Sequence, residues 1–300
     1  MEFLTILLPV FGVFVLGYIG QKKLKVDPKG ISSMAVYLMS PFLAFRTFYN
    51  TTFNQDYFYL MIFTFVLCLA IILMVYCISF VKKYSTRETC ALILASAFMN
   101  NGNYGTPVVL LLFGAAGLDY AIVLMVGQQL VMCTVGIYYA AKGSPDGDGI
   151  HSAMRAVRRM PIVYAAIAGV FLHYFQIDIG RSVNEVVDLI GSAAIPTIMI
   201  ILGMQLASVS FKKIPRMKIS IALILKLVLS PIIAYALTIL FPVSSMAAKI
   251  MVTVAAMPSA ANTTMYALQY NTEPEFVSSA TFVSTVLSLV TLPIVFFFVL

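Results

Sequence analysis

Apolar residues fill most of this 300-residue chain in runs long enough to cross a bilayer, with polar residues gathered between them. A helix rising about 1.5 Å per residue needs about 20 mainly apolar residues to cross a hydrocarbon core of about 30 Å. The pattern predicts ten spanning helices, at roughly 3–20, 31–50, 57–81, 88–115, 118–141, 161–176, 182–208, 218–241, 247–270 and 275–299. Ser85-x-x-Glu88, Ser182-x-x-Glu185 and Thr272-x-x-Glu275 match capping boxes at the starts of the fourth, seventh and tenth spans. The first span opens with Glu2 rather than a basic leader and lacks an A-x-A-like cleavage site, so it is expected to be a retained helix and not a signal peptide.

Two spans are interrupted by polar residues. Asn100-Asn101-Gly102-Asn103-Tyr104-Gly105-Thr106-Pro107 lies in the fourth, and Pro258-Ser259-Ala260-Ala261-Asn262-Thr263-Thr264 in the ninth. An unpaired peptide group costs several kcal/mol in hydrocarbon, so broken backbone persists there only where it lines a cavity or is covered by protein. A pair of such breaks at corresponding places in two halves points to a transporter's substrate site. Gly102 and Gly105 permit unusual backbone angles, while Pro107 and Pro258 remove hydrogen-bond donors. The bland alternative is a pair of kinked helices whose polar groups satisfy one another.

Composition sharpens the class. The chain is 61% hydrophobic and only 10% charged, where a soluble domain carries about 25% charge. The net charge of +7 has a positional cause and is no nucleic-acid signature. Lys22, Lys23, Lys25 and Lys29 follow the first span; Lys82, Lys83 and Arg87 the third; Lys142, Arg155, Arg158 and Arg159 the fifth; Lys212, Lys213, Arg216 and Lys218 the seventh. The alternate connections hold only Arg181 and Lys249. Short basic loops stay in the cytoplasm, so both termini are predicted to be extracytoplasmic, in the cell membrane. Cys68, Cys77, Cys90 and Cys133 fall within spans without CxxC spacing and read as apolar packing.

The only sizeable hydrophilic stretch, 142–160, has five spans on either side. Residues 1–141 and 161–300 are thus expected to be two five-helix repeats, and an odd number of crossings places them in opposite orientations. Pro41 and Pro196 in the second and seventh spans, and Pro107 and Pro258 in the fourth and ninth, mark corresponding positions. Two antiparallel broken helices crossing at their gaps would bring half-helix N-termini together, which favours an anion. Asn, Thr and Tyr side chains add neutral donors, so binding stays reversible. Substrate contacts are expected from Asn100, Asn101, Asn103, Tyr104, Pro107, Pro258, Asn262 and Thr263.

These motifs resemble the auxin efflux carrier family. Asn100-x-Gly102-x-x-Gly105-x-Pro107 with Gly114 is similar to its fourth-span motif, and Pro258-x-Ala260-x-Asn262 to its ninth. Ala194-Ile195-Pro196 with Leu202-Gly203-Met204-Gln205-Leu206 resembles its seventh span, and Lys226 with Pro231 its eighth. The short centre is like that of bacterial relatives, some of which are assigned to malonate or malate transport. The resemblance implies an all-α membrane fold of ten helices in two inverted repeats, with crossing broken helices 4 and 9, shared distantly with bile-acid symporters and sodium–proton antiporters. It also implies a scaffold of helices 1, 2, 6 and 7, a moving domain of helices 3–5 and 8–10, organic anions as substrates and, by analogy, elevator-like alternating access. Asn103 and Tyr104 are this chain's own variation and are expected to tune substrate choice. Members of this fold are often dimers, so a homodimer is an expectation that no stretch of the sequence itself carries.

Charges within spans leave alternatives open. A central lysine costs about 2.5–3.5 kcal/mol to insert. Lys226 either snorkels toward the cytoplasmic interface or stands behind the crossover where sodium-coupled cousins hold a cation, as a fixed charge that replaces a sodium ion or gates proton coupling, with Gln128 and Gln129 as neighbours. The glutamines alternatively pair helix to helix. Arg46 and Asp188 lie at similar depths and are either a scaffold ion pair or independent interfacial residues.

The expected function is a secondary carrier for a small organic anion; the alternative is a sodium- or proton-coupled symporter of the bile-acid type. A channel would need a selectivity filter. An enzyme would need a positioned nucleophile and base, which two His and no mid-span carboxylate do not supply. No G-x-x-x-x-G-K-[ST] loop marks an ATP-driven pump. Neither cofactor nor metal is called for.

Overall fold

The computed structural model describes residues 2–25, 28–50, 54–144, 160–207 and 216–299. Most of the predicted linker, with His151, Arg155, Arg158 and Arg159, lies outside them, as do Thr51, Thr52, Lys212 and Lys213.

Among the described residues every element is helical. The helices are α1 (Glu2–Leu24), α2 (Pro28–Met34), α3 (Ser40–Asn50), α4 (Gln55–Lys82), α5 (Thr86–Ser96), α6 (Thr106–Val131), α7 (Ile137–Lys142), α8 (Pro161–Tyr174), α9 (Arg181–Ala207), α10 (Arg216–Leu223), α11 (Ser230–Leu240), α12 (Ser245–Ala255), α13 (Ala261–Gln269) and α14 (Pro274–Val299). Six stretches among the described residues are long and apolar enough to cross a membrane: Gly30–Asn50, Gln55–Lys82, Asn101–Lys142, Arg181–Ile201, Arg216–Leu240 and Pro274–Val299.

Wide turns with i→i+5 geometry join several helices: Ala35–Met39, Asn101–Gly105, Met132–Gly136 and Ile224–Leu229. Three of them end two residues before a proline, at Pro41, Pro107 and Pro231. A proline removes one intrahelical donor and crowds the preceding turn, and widening that turn relieves the clash. At Pro41 the neighbouring Ser40 hydroxyl donates to the Ala35 carbonyl at 2.8 Å, the same acceptor that the Ser40 N–H reaches across the wide turn.

Asn101–Lys142 runs for 42 residues, about twice what one crossing requires. Gly114 divides it, with φ 68° and ψ −162°, a backbone region open almost only to glycine. Gly114→Ala is therefore expected to cost about 1–3 kcal/mol through strain alone, because an added Cβ there meets nothing within 4 Å. Thermal unfolding in detergent checks this, and a melting point equal to wild type would refute it.

One capping box forms as expected: Ser85 accepts from the Glu88 backbone N–H while the Glu88 carboxylate accepts from the Ser85 N–H. The other two do not. Helix α9 begins at Arg181, so Ser182 already lies in its first turn, and Glu185 pairs with Arg181 at 2.8 Å. Helix α14 begins at Pro274, whose fixed φ suits a first helical position, and Thr272 donates instead to the Ala140 carbonyl at 2.5 Å.

The described residues fall into two compact units. One takes those within Met1–Tyr57, Gly102–Val126 and Met160–Ser208; the other takes those within Phe58–Asn101, Gly127–Arg159 and Val209–Leu300. In the first unit α1 packs on α9, and α3 packs on both α8 and α9. Glycines set these distances. A Cβ on Gly17 would collide with the Ile200 backbone, one on Gly203 with the Phe14 carbonyl, and one on Gly169 would stand 2.8 Å from the Phe45 oxygen. His173 Nδ1 lies 2.8 Å from the Tyr49 carbonyl, and the Tyr49 hydroxyl donates to Ile177 at 3.0 Å.

In the second unit α5 is enclosed by α7, α10, α13 and α14. Every residue from Thr89 to Ser96 is buried, which is why this helix shows no polar stripe. The ends are tied by charge. Lys218 pairs with Glu88 and reaches Glu273 at 3.4 Å, and Arg87 donates to the Asn271 carbonyl at 2.7 Å. The cysteines are free thiols, with Cys68, Cys90 and Cys133 buried and Cys77 exposed.

Candidate functional site

Helix α5 stops at Ser96, and helical structure resumes at Asn101; α12 stops at Ala255, and α13 begins at Ala261. The intervening stretches, 97–100 and 256–260, both lie in the second unit and run antiparallel. The Asn100 N–H donates to the Pro258 carbonyl at 2.9 Å, and the Ala260 N–H donates to Phe98 at 3.1 Å. These bonds flank the Met99–Ser259 pair. Backbone that would otherwise be orphaned in an apolar core thus pairs with its counterpart.

Both gaps begin earlier than the polar residues suggest. Asn101 to Gly105 form a wide helical turn, and Asn262, Thr263 and Thr264 lie inside α13. The reason is local. Ala97 and Ala256 close the preceding helices by donating to Ile93 and Val252, and the wide turn Asn101–Gly105 accommodates Pro107, which lacks a donor.

Serine fastens the join. The Ser259 hydroxyl donates to the Ala95 carbonyl at 2.5 Å, and its N–H donates to Ser284 Oγ at 3.1 Å. Thr263 Oγ1 donates to Ala260 at 2.8 Å. Asn100 is 4% exposed, and its amide nitrogen has no partner. Asn101 is buried and Asn262 half-buried.

Lys226 is buried and does not snorkel. Its ammonium lies 3.4 Å from the carbonyl of Ala255, the last residue of α12, and Ser230 Oγ donates to the same oxygen at 3.0 Å. The C-terminal end of a helix carries partial negative charge, which favours a cation there. Cys68 on α4 lies within electrostatic reach of this ammonium. Gln128 is buried with neither amide atom hydrogen-bonded, and Gln129 donates to Cys133 Sγ at 3.5 Å.

Asn103, Tyr104 and Pro107 belong to the first unit. Tyr104 is fully buried with its ring 5.3 Å from Phe14, and Asn103 is half-buried. Pro107 and Arg46 line one cavity. Arg46 Nη1 donates to Ser192 Oγ at 2.8 Å and lies 3.7 Å from Asp188. Among the described residues no cluster of three His, Cys, Asp or Glu side chains is arranged to hold a metal.

Sequence reasoning leaves Ser230 and Ser284 unmarked, shows Ser259 only as part of the ninth-span break and presents Cys68 as apolar packing. The serines carried a faint signal. Ser284 and Ser288 recur at helical spacing along one buried face of α14, and their hydroxyls donate to carbonyls one turn back. Cys68 gave none, since a lone cysteine in an apolar span usually packs.

The family model for "Membrane transport protein" matches the chain twice, over residues 3–148 and 149–296. An uncharacterised transporter of Methanothermobacter thermautotrophicus is 29% identical over 215 residues, covering 71% of this chain and 69% of its own length. An uncharacterised transporter of Methanocaldococcus jannaschii is 24% identical over 95% of this chain and 94% of itself. A protein of Rhizobium meliloti named "Putative malonate transporter" is 25% identical over 97% of this chain and 93% of itself. These relatives are transporters and not enzymes, and with both halves matched, the chain belongs to the membrane transport protein family of auxin efflux carriers, as a multi-pass helical membrane transporter.

Proposed function

We propose that this transporter carries a small organic anion across the cell membrane by elevator-like alternating access, with the anion held where the two broken helices cross. The observation that carries this reading is the antiparallel pairing of the two interruptions through Asn100–Pro258 and Ala260–Phe98. Two half-helices begin just beyond it, at Asn101 and Ala261, and the positive ends of their dipoles favour negative charge. Asn100 keeps an uncommitted amide donor beside the join. The name of the Rhizobium relative supports a carboxylate as cargo.

The double match of one family model supports two related halves, which an odd span count would place in opposite orientations. The basic connections would then face the cytoplasm, with both termini outside and the linker inside. A homodimer remains part of this reading through the fold resemblance.

Malonate is the first probe. In proteoliposome counterflow, Asn100→Ala and Asn262→Ala are expected to lower malonate exchange about tenfold each, the loss of a hydrogen bond to a charged group, with expression and melting temperature nearly unchanged. Full exchange by both variants of a carboxylate that the wild type carries would dismiss the crossover as the binding site.

Of the alternatives, sodium-coupled symport is disfavoured by the Lys226 ammonium at the end of α12, where a bound sodium ion would compete with it. Uptake is accordingly expected to be unchanged when sodium is replaced by choline.

A further inference from the structure

The first unit contains a cavity of about 400 Å³, within the range of small-molecule sites. Its wall includes Pro107, Leu110, Ile195 and Met199, with Arg46 and Ser192 as its hydrogen-bonding side chains. All of these lie in the first unit.

Arg46 is unusual for such a wall. Its side chain is 21% exposed, so it is not a solvated interfacial charge. A guanidinium has five donors in a planar fork. Only Nη1 is engaged, by the Ser192 hydroxyl at 2.8 Å and by Asp188 at 3.7 Å, and among the described residues Nε and Nη2 have no acceptor. Asp188 is 62% exposed and meets Arg46 outside hydrogen-bond distance, so water screens it. Asp119 interacts with Arg46 electrostatically but makes no ion pair with it. Ser192 accepts from Arg46, and among the described residues its own proton meets no acceptor. A planar cation with open donors, a free hydroxyl proton and a surrounding apolar wall match one carboxylate carried on an apolar body.

We infer that this cavity is a second anion site, in which Arg46 and Ser192 hold the carboxylate of a monocarboxylate and Pro107, Leu110, Ile195 and Met199 cover its hydrocarbon part. A dicarboxylate fits poorly, because its second charge would be pressed against apolar wall without a partner. The same head-and-tail chemistry is found in a dissolved carboxylate and in a membrane fatty acid.

The test is calorimetric binding of acetate, butanoate, hexanoate and malonate to the full-length protein in nanodiscs. Affinity should rise along the monocarboxylates, by about two- to fourfold for each methylene buried, and in Asn100→Ala, with the crossover disabled, malonate should displace hexanoate less well than butanoate does. Arg46→Gln should weaken hexanoate about tenfold or more, the effect of a lost charge-assisted hydrogen bond. Asn100→Ala should leave hexanoate binding intact while reducing malonate exchange, which separates this site from the crossover. A long-chain fatty acid that co-purifies with the wild type, seen by mass spectrometry and displaced by hexanoate, identifies the membrane as the source; hexanoate uptake without it identifies solution. The site is overturned if the wild type binds no hexanoate, if malonate displaces hexanoate from Asn100→Ala as well as butanoate does, or if Asn100→Ala abolishes hexanoate binding. Should Arg46→Gln fail to fold, the chain-length series in the wild type decides alone.

Discussion

Lys226→Met is expected to cut transport about thirtyfold or more while leaving the protein folded. A unit charge on the order of 8 Å from a bound anion, at an effective dielectric of about 20, contributes about 2 kcal/mol, which is about thirtyfold in affinity. Folding should survive for a separate reason. The Ala255 carbonyl has two donors, and Ser230 Oγ remains at 3.0 Å when the ammonium is gone. No buried acceptor is orphaned, and removing an ammonium that has no carboxylate partner lifts a desolvation penalty. The melting temperature should therefore hold or rise as exchange collapses. Ser230→Ala on top of Lys226→Met leaves the carbonyl bare and should lower the melting temperature, by about 1–3 kcal/mol of lost satisfaction. Wild-type exchange rates in Lys226→Met would remove the ammonium from the mechanism.

The second large effect concerns assembly of the first unit. Gly203→Val is expected to destabilise the protein by about 3 kcal/mol or more, beyond ordinary overpacking of about 1–3 kcal/mol. The new Cβ would overlap the Phe14 carbonyl, which is backbone and cannot rotate away. Gly17 makes the reciprocal contact with Ile200, so α1 and α9 meet main chain to main chain. Without a hydrophobic drive between helices in lipid, this close approach is a principal source of their association. Gly20→Ala on the same helix is the control, since its Cβ meets nothing within 4 Å. It should be neutral or slightly stabilising through helix propensity. Monodisperse protein recovered after detergent extraction reads both variants; equal recovery of Gly203→Val would refute the packing argument.

The interruptions were legible in the chain because Asn, Gly and Pro are costly in hydrocarbon and stand out in an apolar run. Their limits were not. Whether Asn101 or Asn262 is helical depends on which N–H pairs across the join, and Asn100 N–H to Pro258 is a long-range bond that no local pattern encodes. The capping boxes show the same division. Ser85 forms its box as read, but Pro274 reset the start of α14 and an Arg181 start displaced Ser182. Lys226 was conspicuous as a charge, whereas its setting depends on Ala255, Ser230 and Cys68, which carry no signal of their own. Depth along two helices placed Arg46 near Asp188, and their charged atoms stand 3.7 Å apart. That Arg46 also faces a cavity with most of its donors open required coordinates.

Two main-chain hydrogen bonds, Asn100 to Pro258 and Ala260 to Phe98, make both interruptions a single mechanical piece. Neither strand of the join can slide without breaking both bonds. Cargo seated there would meet the same donors whichever side of the bilayer is open, so its affinity would be equal at both faces. On the proposed reading, net flux through such a join would follow the solute gradient and the membrane voltage.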